Sequence, residues 1–291
     1  MTEELNILGV KVNIGYNMKD AVQVAAKLAK IEKPSHICTT NPEFIVDAQD
    51  DKEFKDIINS CDLSLPDGVG VGLAGIYLKK VATYPRNHTY PLKALLAGLS
   101  LLKYFWADKK DIRTVPGVWF VSELCCFASQ NNLTVGFIGG WPRDRFGRPL
   151  KGEHNIARTV AERLTDKYPD LQVVCADSAL FHKESFDIRS RELINTTLND
   201  KRVDIMFVAF GHPHQEKWIH RNKQFIHANL FIGVGGSFET LLASNSETIR
   251  GFTDKGYEWM YRLLTQPWRY KRVFKALILF PAKVFINSLR H

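Results

Sequence analysis

Residues 203–213 read VDIMFVAFGHP, an apolar run that holds one charged side chain and ends in glycine and proline. A short, nearly continuous apolar run bounded by turn residues is typical of a buried strand. Pro213 and Glu216 follow at the spacing of a helix start. The stretch therefore predicts a strand that passes directly into a helix.

The same order recurs on both sides of this stretch. Strand candidates alternate with segments of helical period, and they cover residues 35–40, 62–65, 134–138, 171–175, 203–209 and 230–234. Residues 5–14 alternate like a short hairpin. Repeated βαβ units predict an α/β fold, with a mainly parallel sheet flanked by helices in a Rossmann-like arrangement. Ligands of such sheets bind at the carboxyl ends of the strands.

Composition limits the class of protein. The chain has 291 residues, 45% of them hydrophobic, and a net charge of +8. This length is sufficient for a full core. No apolar leader behind a basic region follows Met1, so we expect a cytosolic location. The five cysteines lack C-x-x-C spacing, which favours reduced thiols over disulfides or a zinc site.

Two segments depart from the alternation. In residues 79–111, basic residues surround an apolar stretch that is too short to span a bilayer, which predicts an inserted helix or hairpin. Residues 254–291 mix aromatic and apolar side chains with eight basic and only two acidic ones. Such a tail favours docking to a membrane surface, with packing onto the body or a nucleic-acid surface as alternatives. We predict an α/β domain over residues 1–253, with the insertion 79–111, and a C-terminal helical membrane-docking appendage over residues 254–291.

Polar residues follow several strand candidates. Asn41 with Pro42 is a common N-cap and first helical residue, and capping is the favoured interpretation there. Asp67 ends a strand and precedes a glycine-rich helix start, where a cap and a functional carboxylate fit equally well. The helix start at residues 211–218 and the glycine turn at residues 233–239 suit phosphate or sugar binding, or only local folding.

Several common sites are disfavoured. Gly70, Gly72 and Gly75 match a dinucleotide fingerprint, but no Asp or Glu stands between Asp67 and Asp108 to bind a ribose. The chain has no Walker A sequence. Its histidines near residue 212 have no ligand set of recognisable spacing, so we predict no metal and no cofactor.

Taken in order, these motifs resemble the WecG/TagA/CpsF glycosyltransferases (glycosyltransferase family 26). The matching runs are Thr39-x-Asn41-Pro42-Glu43, Asp67-Gly68-x-Gly70, Gly139-Gly140, Gly211-x-Pro213-x-Gln215-Glu216-x-Trp218, Gly233-Val234-Gly235-Gly236-x-Phe238, Tyr257-Glu258-Trp259-x-Tyr261-Arg262-Leu263 and Gln266-Pro267-x-Arg269-x-x-Arg272. The resemblance covers nearly the whole chain apart from residues 79–111.

The resemblance implies an inverting, metal-independent enzyme that moves an N-acetylhexosamine, typically N-acetylmannosamine, from a UDP-sugar to polyprenyl-diphosphate-linked N-acetylglucosamine. Asp67 would be the catalytic base and Arg113 would hold the donor diphosphate. The substrate-binding residues implied are Thr39, Asn41, Gly68, Gly139, Gly140, Gln215, Glu216, Gly235, Gly236, Arg262, Arg269 and Arg272. The enzyme would work at the cytosolic face of an anionic membrane, without nucleic acid, and we allow for a homo-oligomer.

The chain also departs from the family's pattern. Glu239 stands where Asp is usual, Val118-Trp119 replaces an expected acid, and Arg250-Gly251-Phe252 replaces R-A-P. These departures leave the sugar identities open. They also motivate an alternative, a non-catalytic protein that binds a nucleotide sugar or the lipid carrier. A nucleic-acid-binding module, suggested by charge alone, ranks last.

Overall fold

The computed structural model describes residues 2–105, 112–140, 155–178, 186–199, 201–243 and 246–290. Its centre is a six-stranded sheet whose pairs are all parallel. A separate antiparallel hairpin precedes it. The strands are β1 (Glu3–Ile7), β2 (Val10–Ile14), β3 (Ser35–Thr40), β4 (Leu63–Pro66), β5 (Thr134–Gly139), β6 (Gln172–Asp177), β7 (Val203–Ala209) and β8 (Ala228–Gly233). The predicted α/β class and parallel sheet are confirmed.

Helices cover both faces of the sheet. They are α1 (Met18–Ala29), α2 (Pro42–Asp47), α3 (Lys52–Asn59), α4 (Val69–Ala82), α5 (Tyr90–Ser100), α6 (Gly117–Gln130), α7 (Ile156–Lys167), α8 (Phe186–Leu198), α9 (His214–Asn222), α10 (Ser237–Leu242), α11 (Ser246–Asp254), α12 (Glu258–Thr265), α13 (Tyr270–Phe274) and α14 (Phe280–Arg290). Shorter helical turns occupy Leu101–Phe105, Pro267–Arg269 and Lys275–Leu279. Successive side chains of β7 point to opposite faces of the sheet. Phe207 packs with α1, α6 and α7 on one face, whereas Met206 and Val208 pack with α8 and α9 on the other.

The sheet order is β4-β3-β8-β7-β5-β6. Strands that are distant in the chain are therefore neighbours, and β3 pairs with β4 on one side and with β8 on the other. Because all six strands run the same way, the loops after β4, β3, β8 and β7 follow one another along the carboxyl edge.

The C-terminal helices pack against the body. Phe280 and Val284 are buried in the cluster formed by the hairpin and helices α2 to α5. Ser288 of α14 lies 2.8 Å from the Tyr77 hydroxyl through its Oγ, and its carbonyl accepts a hydrogen bond from the Tyr90 hydroxyl at 3.0 Å. Within the described ranges, none of the helices has the length and apolar character needed to span a bilayer. The boundary at residue 253 stays a prediction.

The segment 79–111 is helical where it is described. It contributes the end of α4, the whole of α5 and the turn Leu101–Phe105. Residues 106–111 lie outside the described residues. Of the two structures predicted for this segment, the helix is the one found.

Candidate active site

Three bonds join four neighbouring loops at the carboxyl edge of the sheet. The Asp67 amide donates to the Thr40 carbonyl at 2.9 Å, which joins the loops after β4 and β3. The Thr39 hydroxyl donates to the Gly233 carbonyl at 3.0 Å, which joins β3 to β8. The Val234 amide donates to the Val208 carbonyl at 2.9 Å, which joins β8 to β7. The motifs singled out in the sequence therefore form one continuous rim.

Asp67 is half-buried on this rim. The N-cap position of α4 belongs to the next residue, Gly68, whose φ of 88° lies in the left-handed region. A Cβ at Gly68 would meet no atom within 4 Å, so glycine is needed there for its backbone conformation rather than for space. Asp67 is thus not the N-cap residue of α4, and a catalytic role for its carboxylate stays a prediction.

The capping interpretation is confirmed for Asn41. Its Oδ1 accepts from the Phe44 amide at 3.0 Å, and Pro42 is the first residue of α2. Thr39 is buried and is engaged with Gly233 as described above. Contact of Asn41 or Thr39 with a substrate stays a prediction.

Gln215 and Glu216 lie behind the rim. The Gln215 Oε1 accepts from the Gly211 amide at 3.1 Å and from the Gly235 amide at 2.8 Å, so one side chain ties two turns together. Its Nε2 donates to the Glu216 Oε1 at 2.7 Å. A Cβ at Gly233 would come within 2.4 Å of that same carboxylate oxygen, which requires glycine at this position. The structure thus gives Gln215 a role in shaping the site that the sequence did not indicate.

The carboxyl group of Glu216 has a raised pKa. Burial raises its pKa from the usual 4.5 to about 8, in spite of the hydrogen bond from Gln215. Its Oε2 has no hydrogen-bond partner among the described residues. The folded protein therefore keeps a proton on Glu216 that the unfolded chain releases between pH 4.5 and about 8. The free energy of unfolding should fall as pH rises through this window.

We expect Glu216→Gln to remove this dependence, because a glutamine amide stays neutral and can still accept from Gln215. As the pH rises from 5 to 8, the parent should lose about 2–4 kcal/mol of unfolding free energy relative to the variant. Urea unfolding of both proteins at the two pH values measures the difference. An identical pH dependence in parent and variant would refute the assignment.

Two tail arginines, Arg262 and Arg269, lie beside the segment that follows β8, and Arg272 is a charged neighbour of Arg269. The Arg262 Nη2 donates to the Thr240 hydroxyl at 3.1 Å. The Arg269 Nη2 would lie 3.4 Å from a Cβ if Gly236 were replaced by a residue with a side chain. Burial, followed by the neighbouring guanidiniums of Arg262 and Arg272, lowers the pKa of Arg269 to about 9. Like charges gathered out of water are costly unless an anion joins them. The carboxylates of Glu239 and Glu43 partly offset this positive charge, and Glu43 is already bonded to Arg272. The net effect at Arg269 is still an excess of positive charge, which would favour an anionic ligand.

Arg272 also belongs to a second charge cluster, on α2. Its Nε donates to Glu43 at 2.5 Å, and Lys275 donates to Asp47 at 2.6 Å. His212 lies 3.2 Å from the Asp47 Oδ2. Although burial opposes ionisation, hydrogen bonds from His212 and Lys275 lower the pKa of Asp47. Sequence spacing around the histidines gave no indication of these carboxylates, and here the tail cations are paired with them.

Arg113 lies on the other side of the rim. Its side chain is exposed, and its Nη1 donates to the Gly15 carbonyl at 3.1 Å. The Val115 amide donates to the Pro66 carbonyl at 2.8 Å, which keeps this segment beside the end of β4. The main chain at Val115 is therefore held beside the end of β4, whereas Arg269 lies beside Gly236.

Gly139 and Gly140 end β5 with φ values of 87° and 82°. A side chain at Gly139 would collide with Phe210, and one at Gly140 would collide with Ile156. Both glycines are required by local packing, and their contact with a substrate stays a prediction.

Two of the departures from the family's pattern, Trp119 and Gly251, line one cavity. The Arg250 guanidinium lies 5.3 Å from the centre of the Trp119 ring. Both residues line a cavity of about 490 Å³ whose wall also includes Arg163 and Lys167. Asp67 does not line it, so this cavity is separate from the carboxylate on the rim.

The chain has a Rossmann-like α/β fold, whose carboxyl edge carries the Asp67 carboxylate after β4 and Arg269 beside the glycine turn after β8. The model of the "Glycosyl transferase WecG/TagA/CpsF family" matches residues 5–92 and 95–291, so the chain belongs to this family of glycosyltransferases. The predicted family and enzyme class are confirmed. The match also runs through the segment 79–111, except for residues 93 and 94.

Three similar proteins share the name N-acetylglucosaminyldiphosphoundecaprenol N-acetyl-beta-D-mannosaminyltransferase. The protein of Bacillus spizizenii (strain ATCC 23059 / NRRL B-14472 / W23) is 27% identical over 83% of this chain and 75% of its own length. That of Bacillus subtilis (strain 168) is 25% identical over 81% and 74%. That of Staphylococcus aureus (strain NCTC 8325 / PS 47) is 22% identical over 85% and 78%.

Proposed function

We propose that this protein transfers an N-acetylhexosamine, N-acetylmannosamine in the first instance, from its UDP derivative to N-acetylglucosamine on a polyprenyl diphosphate. The product would serve cell-surface polysaccharide synthesis. The observation that supports the proposal is the half-buried Arg269, which has Arg262 and Arg272 as charged neighbours and lies beside Gly236 in the loop after β8. Both substrates carry a diphosphate, which suits such a cluster.

In this proposal, Asp67 takes the proton from the acceptor hydroxyl as that oxygen attacks the anomeric carbon of the donor. The new glycosidic bond forms while the bond between that carbon and UDP breaks, and a single displacement inverts the anomeric centre. A carboxylate suits the task because it needs only to be within hydrogen-bond reach of the hydroxyl. The electrons of the broken bond leave with UDP.

The departing diphosphate needs positive charge. Arg269, with Arg262 and Arg272, would stabilise it without a metal, and Arg113 would contribute from the Asp67 side. Gln215 would act on the reaction through the turns that it holds, since it fixes the Gly211 and Gly235 amides together. Glu216 in turn orients Gln215.

We further propose that the protein acts at the cytosolic face of the membrane that holds its acceptor. The tail supplies cations and exposed apolar side chains, among them Leu264, Phe274 and Ile278. Deleting the tail would not test this proposal cleanly, because Phe280 and Val284 belong to the core. Point substitutions of exposed residues test membrane docking without disturbing the core.

The direct test is an assay of the full chain with UDP-N-acetylmannosamine, UDP-N-acetylglucosamine and UDP-N-acetylgalactosamine, in the presence of EDTA and a lipid-diphosphate-linked N-acetylglucosamine. We expect turnover with at least one donor, preferably the first, and an inverted product by NMR. Binding of UDP without turnover of any donor would favour the non-catalytic alternative, which the departures at Val118-Trp119 and Glu239 motivate.

A further inference from the structure

Helix α5 faces the solvent with its large apolar side chains. Its small residues point inward, since Ala94 and Ala97 are buried against α4 and α14. Its leucines point outward and are 45–61% exposed; they are Leu92, Leu95, Leu96 and Leu99, with Leu102 in the turn that follows. These five residues, called the α5 leucine face below, recur three or four positions apart and so form one stripe. A water-facing helix normally shows the opposite arrangement.

The segments that carry the α5 leucine face and the tail helices beside it contain basic residues but no acidic ones. Residues 68–107 contain no Asp or Glu, and residues 259–290 contain none either. Lys93 and Lys103 are exposed beside the leucines. Apolar side chains framed by cations suit an anionic lipid surface, where the leucines enter the acyl boundary and the lysines meet the headgroups.

The neighbouring helix extends this surface. Helix α14 packs against α5 and carries the exposed side chains of Ile286 and Leu289, with Arg290 beside them. The length of α5, 11 residues or about 16 Å, is half the thickness of a hydrocarbon core. It can lie in the interface but cannot cross it.

A second copy of this chain fits the α5 leucine face less well than anionic lipid does. A two-fold contact through the α5 leucine face would bring Lys93 and Lys103 of one copy against the same cations of the other. With no acidic residue in the segment to pair with them, such a contact would be repelled, whereas anionic lipid would be attracted.

We propose that the α5 leucine face is a membrane-inserting surface of this protein that binds anionic lipid in addition to the tail. The surface does not depend on which sugar the enzyme transfers. It presents the body of the enzyme, and not only its C-terminal residues, to the bilayer.

The test is co-sedimentation of the full chain with phosphatidylcholine vesicles, with and without one part in three of phosphatidylglycerol. The double variant Leu95→Ser, Leu99→Ser should lose binding to the anionic vesicles by roughly 10- to 100-fold, because two leucines no longer enter the interface. The matched control is Ile188→Ser, Leu193→Ser on α8, where both side chains are also exposed, and it should bind like the parent.

Both double variants should unfold at the parent's temperature, since all four side chains are exposed. Turnover of a short-chain, water-soluble acceptor should also be unchanged, which separates loss of docking from loss of catalysis. Parent-like sedimentation of the α5 variant would overturn the proposal, and so would equal binding of the parent to neutral and anionic vesicles. A dimer that the α5 substitutions abolish, with vesicle binding intact, would assign the face to a second copy instead.

Discussion

Asp67→Asn is expected to lower kcat by about 10²- to 10⁴-fold, with little change in the KM for the donor. Asparagine keeps the shape of the side chain and can still accept hydrogen bonds, but it cannot take up the acceptor's proton. The substitution keeps the glycine N-cap of α4 and the main-chain bond from the Asp67 amide to Thr40, so we expect a folded protein. Steady-state kinetics with the best donor, together with thermal unfolding, measures both parts.

Asp177→Asn is the matched control. Asp177 also ends a parallel strand, but β6 lies at the opposite edge of the sheet from β4. We expect its kcat to stay within about twofold of the parent, since general-base catalysis requires contact with the reacting hydroxyl. If a folded Asp67→Asn protein works as fast as the Asp177→Asn control, Asp67 is not the base.

Arg269→Gln is expected to reduce kcat/KM by about 10- to 100-fold, since charge-assisted bonds contribute about 1.5–3 kcal/mol. The same substitution should not lower the free energy of unfolding of the substrate-free protein. Burial and the two neighbouring guanidiniums already disfavour the charge of Arg269, as its lowered pKa indicates, so its removal relieves repulsion. A residue that weakens the fold and strengthens binding is typical of a functional site.

Lys271→Gln is the control for this prediction. Lys271 is exposed two residues away, beside the Tyr270 ring. It should change neither kcat/KM nor stability appreciably. Loss of stability in Arg269→Gln without loss of activity would show that Arg269 is a structural residue and not part of an anion site.

The strands and caps were predictable because they depend on near neighbours. The run at residues 203–209 became β7 with the predicted bounds, and Asn41 caps α2 through a bond that spans three residues. For residues 79–111, which contain α5, the sequence left a helix and a hairpin open. Which face of α5 points outward was not predictable, because that depends on α4 and α14, and α14 lies nearly two hundred residues further on.

The α/β class, the order of strands and helices, and the positions at which polar residues follow strands can all be inferred from the sequence, because periodicity and capping are local properties. Which of those residues meet depends on three-dimensional packing. It placed Arg272 against Glu43, 229 residues away, and Gln215 between two glycine turns. The physical reason is the strand order β4-β3-β8-β7-β5-β6, which is set by packing of the whole sheet and brings distant loops to one edge.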